Sequence, residues 1–183
     1  MNILIVTGSN RKDATSTRLA AYVGQIISQK GHNAELFDLY EKPLPFYSPE
    51  GVNQDHDSIR QLKQAAKQAD AIALASPEYH GSISGLLKNA LDYLGQEHFH
   101  GKAVLSMSSA GGAVGTSSLQ QLQAMVRNLH GINSPEWISV GGAQRQLLTE
   151  GLGTQEGDGQ ILYDRIHRVT GSFLELAALL AKR

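Results

Sequence analysis

The chain has 183 residues, 41% of them hydrophobic and 18% charged, long enough to bury about 70% of its extended-chain surface around one core. Its 16 basic and 17 acidic residues leave a net charge of -1, which excludes the electrostatic footprint of a protein that holds nucleic acid or an anionic membrane surface. With no cysteine there is no disulfide, thiolate nucleophile or Cys-based metal cluster, so any redox chemistry has to come from a bound group.

The first residues run straight into a strand, without the basic, apolar and small-residue zones of a signal peptide, and the longest apolar runs fall well short of the roughly 20 residues a membrane helix needs. One cytoplasmic domain over residues 1–183 is the expectation.

Ile3, Leu4, Ile5 and Val6 form an unbroken aliphatic run that suits a central parallel strand covered on both faces. Behind it, Thr7 to Arg18 makes a polar loop and a helix start. Gly8 permits a tight turn there, and the hydroxyls of Ser9, Thr15, Ser16 and Thr17 gather with Arg11 and Lys12. The free backbone N–H groups and positive dipole of a helix start attract phosphate, and these side chains complete a cradle for one. The loop is neither a Walker A sequence nor a dinucleotide fingerprint, because the further glycines that each requires are missing. Capping of the helix by one hydroxyl is the competing use, but it leaves the other hydroxyls and Arg11 without a role.

Leu19, Val23, Ile26 and Ile27 recur at helical spacing, with Gly31 placed for a C-terminal cap. Ala34 to Leu39 reads as a second strand, at an edge because it carries Glu35 and Asp38. The linker from Tyr40 to His56, with Pro43, Pro45, Pro49 and the aromatics Tyr40, Phe46 and Tyr47, has the length of a binding loop or is a proline-stiffened surface connection. Asp57 is placed to cap a helix with Ile59, Leu62, Ala66 and Ala69 on one face. Ala71 to Ala75 is the third strand and Ala103 to Met107 the fourth. A helix with Leu119, Leu122, Val126 and Leu129 precedes the fifth strand, Trp137 to Val140. Ile161, Arg165, Ile166, Val169, Phe173, Leu176 and Leu180 mark the last helix. Such alternation predicts a three-layer α/β domain, a parallel sheet with helices on both faces, because parallel neighbours need right-handed crossovers. Ligands of these sheets sit beyond the carboxyl ends of the strands, where the loops after strands one, three and four meet.

The loop after the third strand, Ser76 to Gly85, suits a planar ring. Pro77 fixes its own φ, Gly81 and Gly85 let a flat ligand approach the main chain, and Tyr79 offers a broad face with a polar tip. Its competing use is a proline turn with an aromatic lid. After the fourth strand, Ser108 to Ser118 is a second glycine-rich junction that exposes backbone donors. No Ser/His/Asp order or paired-carboxylate spacing suggests hydrolysis. His98 and His100 flank Phe99 with no third ligand nearby, which reads as a solvated turn and not a metal site. Gly141 to Gly159 reads as a mobile lid or a plain flexible loop, the loop being favoured.

Together, Ser9 and Arg11, the Pro77-Glu78-Tyr79 segment and the Gly111-Gly112 pair resemble the NADPH-dependent FMN reductase family over roughly residues 1 to 140, most specifically from Pro77 to Leu94. The resemblance implies a flavodoxin-like fold with a five-stranded parallel sheet in order 2-1-3-4-5. It implies FMN as cofactor and NADPH as co-substrate, with hydride passing through FMN to a flat acceptor: an azo dye, quinone, free flavin or chromate. Ser9, Arg11, Thr15, Ser16 and Thr17 would hold the FMN phosphate. Pro77, Glu78, Tyr79, His80, Gly81 and Ser82 would flank the ring edge, and Ser109, Gly111 and Gly112 would approach it from the far side. The helix 85–95 would form the interface of a homodimer or tetramer beside the flavin. His80 departs from the asparagine that many members carry, and Glu78 also reads as a turn or helix-end residue. The alternative is a flavodoxin-type electron carrier without NAD(P)H turnover, a class that is usually strongly acidic, whereas this chain is nearly neutral and carries Arg11.

Overall fold

A mainly parallel sheet covered by helices on both faces forms the computed structural model, which describes residues 1–150 and 157–181. Its strands are β1 (Asn2–Thr7), β2 (Asn33–Asp38), β3 (Ala71–Tyr79), β4 (Ser82–Ile83), β5 (Ala103–Ala110), β6 (Ile132–Asn133) and β7 (Ile138–Gly141). The helices are α1 (Thr15–Gln29), α2 (Asp57–Gln68), α3 (Gly85–Asp92), α4 (Gln96–Phe99), α5 (Thr116–Asn128), α6 (Gln144–Glu150) and α7 (Asp158–Ala181).

Strand order is β2-β1-β3-β5, with β6 and β7 sharing the remaining side of β5. Ala103 and Val104 pair with β6, and Met107 to Ala110 pair with β7. The fifth position of the expected order is therefore one strand in two pieces, and Pro135, which cannot donate to a ladder, lies in the break. β4 is a spur, antiparallel to the end of β3. Six strands thus fill the five positions expected, and the spur β4 is the seventh.

Alternation along the central strands divides the hydrophobic interior in two. Ile3 and Ile5, with Ala71, Ala73 and Ala75, face a core built from α1 and α7, while Leu4 and Val6, with Ile72 and Leu74, face one built from α2, α3 and α5. Alanines dominate the first face of β3, so α1 packs close to the middle of the sheet.

Several boundaries differ from expectation. β3 and β5 continue to Tyr79 and Ala110, past the aliphatic runs, because ladder bonds with each other and with β4 and β7 carry them into the polar loops. Asp57 is the first helical residue of α2, not its cap, and its carboxylate pairs with Arg60. The helix expected over 85–95 stops at Asp92, with Gly95 opening α4. On α7 the core residue is Leu162, while Ile161 is exposed. His98 is buried, its Nδ1 accepting from Gly95 N at 3.0 Å, so it is no solvated turn. Within the glycine-rich segment 141–159, α6 and the start of α7 replace part of the expected loop, and 151–156 lie outside the described residues.

Candidate functional site

The chain leaves β1 at Thr7 and turns through Ser9 to Asp13 before α1 begins. Ser9 is buried, and its Oγ accepts from Arg11 N at 3.0 Å, which closes the turn and leaves the hydroxyl proton uncommitted. Asp13 takes a left-handed φ of 51°, and Arg18 Nε donates to its carbonyl at 3.0 Å. Among the described residues no side chain caps α1, whose N-cap is Ala14. Ser16 Oγ and Thr17 Oγ1 are buried without a hydrogen-bond partner among the described residues. The capping use of these hydroxyls is therefore not the one adopted. A helix start with open N–H groups and two stranded hydroxyls is a set of donors in want of an acceptor.

Serines fasten this turn to the loop after β3. Ser84 Oγ donates to the Gly8 carbonyl and accepts from Leu87 N at 3.1 Å, capping α3. Ser84 N in turn donates to Ser76 Oγ at 2.9 Å. Gly8 is needed because a Cβ there would collide with Leu87. Farther along, Glu78 Oε2 accepts from Ser118 N and Ser118 Oγ, both at 2.9 Å, at the positive end of α5. Its helix-end role is the one the structure displays.

Glu78 to Ile83 forms a hairpin in which Tyr79 pairs with Ser82, and the connecting His80 and Gly81 have φ of 52° and 71°. A two-residue loop with both φ positive is the geometry that asparagine-glycine serves best, and His80 stands in the place of that asparagine. Ser82 Oγ donates to Gln121 Oε1 at 2.7 Å, directed toward α5.

These loops enclose a cleft of about 330 Å³ whose walls include Arg11 and Thr15, Pro77 to Tyr79, and Ser109 with Gly111. Of the residues expected from sequence, these line the cleft directly. Gly112 stands beside it, its carbonyl facing Gly141, where a Cβ would collide with it. A Cβ on Gly111 or Gly112 would meet open space, and neither has a positive φ, so the protein's own packing does not demand glycine there. Across Tyr79 lies a second, more apolar cavity of about 350 Å³, walled by Asn10, Leu44, Phe46, Leu86 and Asn89. Tyr79 OH donates to Asn10 Oδ1 at 3.2 Å between the two. Sequence reasoning missed Ser76, Ser84, Asn10 and Arg145, the last a cleft residue on α6. Only Ser84 had a legible signal, a serine directly before a helical run.

The profile of the NADPH-dependent FMN reductase family matches residues 1–145. The chain belongs to that family. A relative, the FMN-dependent NADPH-azoreductase of Staphylococcus aureus (strain USA300), is 39% identical over 144 residues, covering 76% of this chain and 77% of the relative. Among solved structures, an apo NADH:FMN oxidoreductase superposes with a TM-score of 0.74 at 19% identity, covering 94% of this chain and 87% of that one. The NAD(P)H:(acceptor) oxidoreductase FerB from Paracoccus denitrificans gives 0.72 at 21%, covering 99% and 97%. Both share the fold.

For an FMN reductase the cofactor is FMN, the reductant NADPH and the acceptor a small molecule. The residues present fit FMN: a phosphate supplies acceptors to the donors stranded at the start of α1, and Gly111 and Gly112 leave the space a flat ring needs. Among the described residues no helix is long and apolar enough to cross a membrane.

Proposed function

We propose that this FMN-dependent NAD(P)H oxidoreductase reduces flat, conjugated small molecules, azo dyes and quinones foremost, at the cleft described. The observation that carries the reading is the cleft's two-ended chemistry: Arg11 and the open start of α1 at one end, Pro77, Tyr79 and Gly111 at the other. Azo reduction is the activity in the name of the S. aureus relative.

When bound, FMN supplies the hydride chemistry. The chain's own work is placement. Ser9, Arg11, Thr15, Ser16 and Thr17 bind the phosphate; Pro77, Glu78 and Tyr79, with the hairpin tip His80 to Ser82, border the ring; Ser109, Gly111 and Gly112 oppose it. Glu78 acts through α5, holding Ser118 and hence the far wall in place. The apolar cavity beyond Tyr79 offers an acceptor a dry surface beside the ring.

We assign residues 1–183 to a single FMN-binding domain, which a single unfolding transition in denaturant tests. A cytoplasmic location belongs to the same reading, since NADPH is generated there; cell fractionation followed by activity assay tests it.

Self-association through α3 is part of the proposal. Asn89 Nδ2 donates to Pro45 O at 2.9 Å, Asn89 Oδ1 accepts from Tyr47 N at 2.8 Å, and Tyr93 OH donates to Phe46 O at 3.0 Å. These bonds hold the proline-rich loop on α3 and leave Phe46 88% exposed. Light scattering after gel filtration is expected to give a dimer, and Phe46→Asp a monomer. For the activity, purified protein incubated with FMN is expected to turn yellow and to oxidise NADPH when a quinone or azo dye is added. Colourless protein, or yellow protein without turnover, overturns the reading.

A further inference from the structure

We propose that Arg145 is a second arginine ligand of the cofactor's phosphate, delivered from α6, the helix that follows the last strand. This rests on the FMN reading of the cleft. Arg145 lines the same cleft as Arg11, Asp13, Ala14 and Thr15. It is half-buried, and its Nε is enclosed without a hydrogen-bond partner among the described residues. Neither Arg145 nor Arg11 is in an ion pair among those residues. The carboxylates on the cleft wall do not supply the missing acceptor. Glu78 is committed to Ser118, and Asp13, although exposed beside the opening, lies in no ion pair among the described residues.

The helix bearing Arg145 is braced. Arg165 Nη2 donates to Ser139 O at 2.7 Å and to Gln144 Oε1 at 3.2 Å, tying α7 to β7 and to the first residue of α6. Leu147 and Leu148 pack into the α1 and α7 core. The guanidinium is therefore held beside the start of α1 and does not sweep through solvent, so little order has to be imposed when it meets a ligand.

Of the groups FMN carries, the phosphate matches best. A buried guanidinium N–H needs an acceptor, and a phosphate monoester offers three oxygens and about −1.5 to −2 charge at neutral pH. One exposed arginine and a helix start leave part of that charge uncompensated. Ser16, Thr17 and Arg145 then share a single explanation for their stranded donors.

The test compares FMN with riboflavin, which has the ring but no phosphate, by fluorescence titration of apo-protein. Arg145→Met is expected to weaken FMN binding by roughly tenfold to a hundredfold while riboflavin affinity stays within about twofold of wild type. Equal loss for both flavins, or no loss for FMN, overturns the proposal. Should the methionine variant melt below the assay temperature, Arg145→Lys carries the test: it keeps the charge and loses the fork, so FMN weakens by roughly threefold to tenfold and riboflavin holds. An unchanged FMN-to-riboflavin ratio there is equally fatal. Wild-type protein that takes up neither flavin overturns the FMN reading itself, a result distinct from failure of the variants.

Discussion

Replacing Ser84 with alanine is expected to loosen the site at its base. Ser84 is 3% exposed, and its hydroxyl serves two partners on different elements, Leu87 N in α3 and the Gly8 carbonyl behind β1. Loss of the helix cap costs about 1 kcal/mol, and stranding the Gly8 carbonyl in the interior costs about 1–3 kcal/mol. The total of about 2–4 kcal/mol corresponds to a melting temperature lower by roughly 5–12 °C for a chain of this size. Because Gly8 leads into the phosphate turn, FMN affinity should fall in the same variant. Urea unfolding of the apo-protein and an FMN titration measure both effects, with Ser82→Ala as control for the unfolding alone, since among the described residues that half-exposed hydroxyl donates to the Gln121 side chain. A cost below about 1 kcal/mol for Ser84→Ala would refute the idea that this serine ties the two loops together.

Arg11→Ala is expected to weaken FMN binding by about tenfold to a hundredfold, read in the same titration. Glu78→Gln should cost about 1 kcal/mol of stability through the weakened α5 start, measured by urea unfolding. His80→Asn is expected to stabilise by about 0.5–1 kcal/mol, because asparagine tolerates the left-handed backbone better. Acid should weaken the fold through His98. Burial lowers its pKa from the ordinary 6.5, and the Glu97 carboxylate only partly opposes this. The unfolded chain therefore takes up a proton that the folded one refuses, so stability is full above pH 6.5 and declines as pH falls from there toward the lower folded value. Urea midpoints across that window should show the slope, and His98→Gln should flatten it.

The sheet was legible in sequence because its central strands are covered on both faces, which makes Ile3 to Val6 and Ala71 to Ala75 continuous apolar runs. The ends were less so. Where β3 and β5 run on into Glu78, Tyr79 and Ser109, the ladder is held by partner strands, and nothing in the local composition reports a partner. The polar turn after β1, which we propose holds the phosphate, was legible through its crowd of hydroxyls. Arg145 was not, since a single arginine in a glycine-rich stretch carries no periodicity, and only the crossing of α6 beside α1 gives it meaning. His98 was misread for the opposite reason: a polar neighbourhood in sequence conceals a buried place in space.

The cleft lies on the seam between the two hydrophobic interiors, with α1 and α6 rooted in one and the β3–β4 hairpin in the other. A flavin seated there, as proposed, would work as a clasp, because neither half could melt away without letting go of it. Ligand at a hundred times its dissociation constant would add about 2.7 kcal/mol to the intact form. Flavin-free protein, lacking the clasp, is the form in which one layer should fray ahead of the other, and release of yellow colour during denaturation would time the moment at which they part.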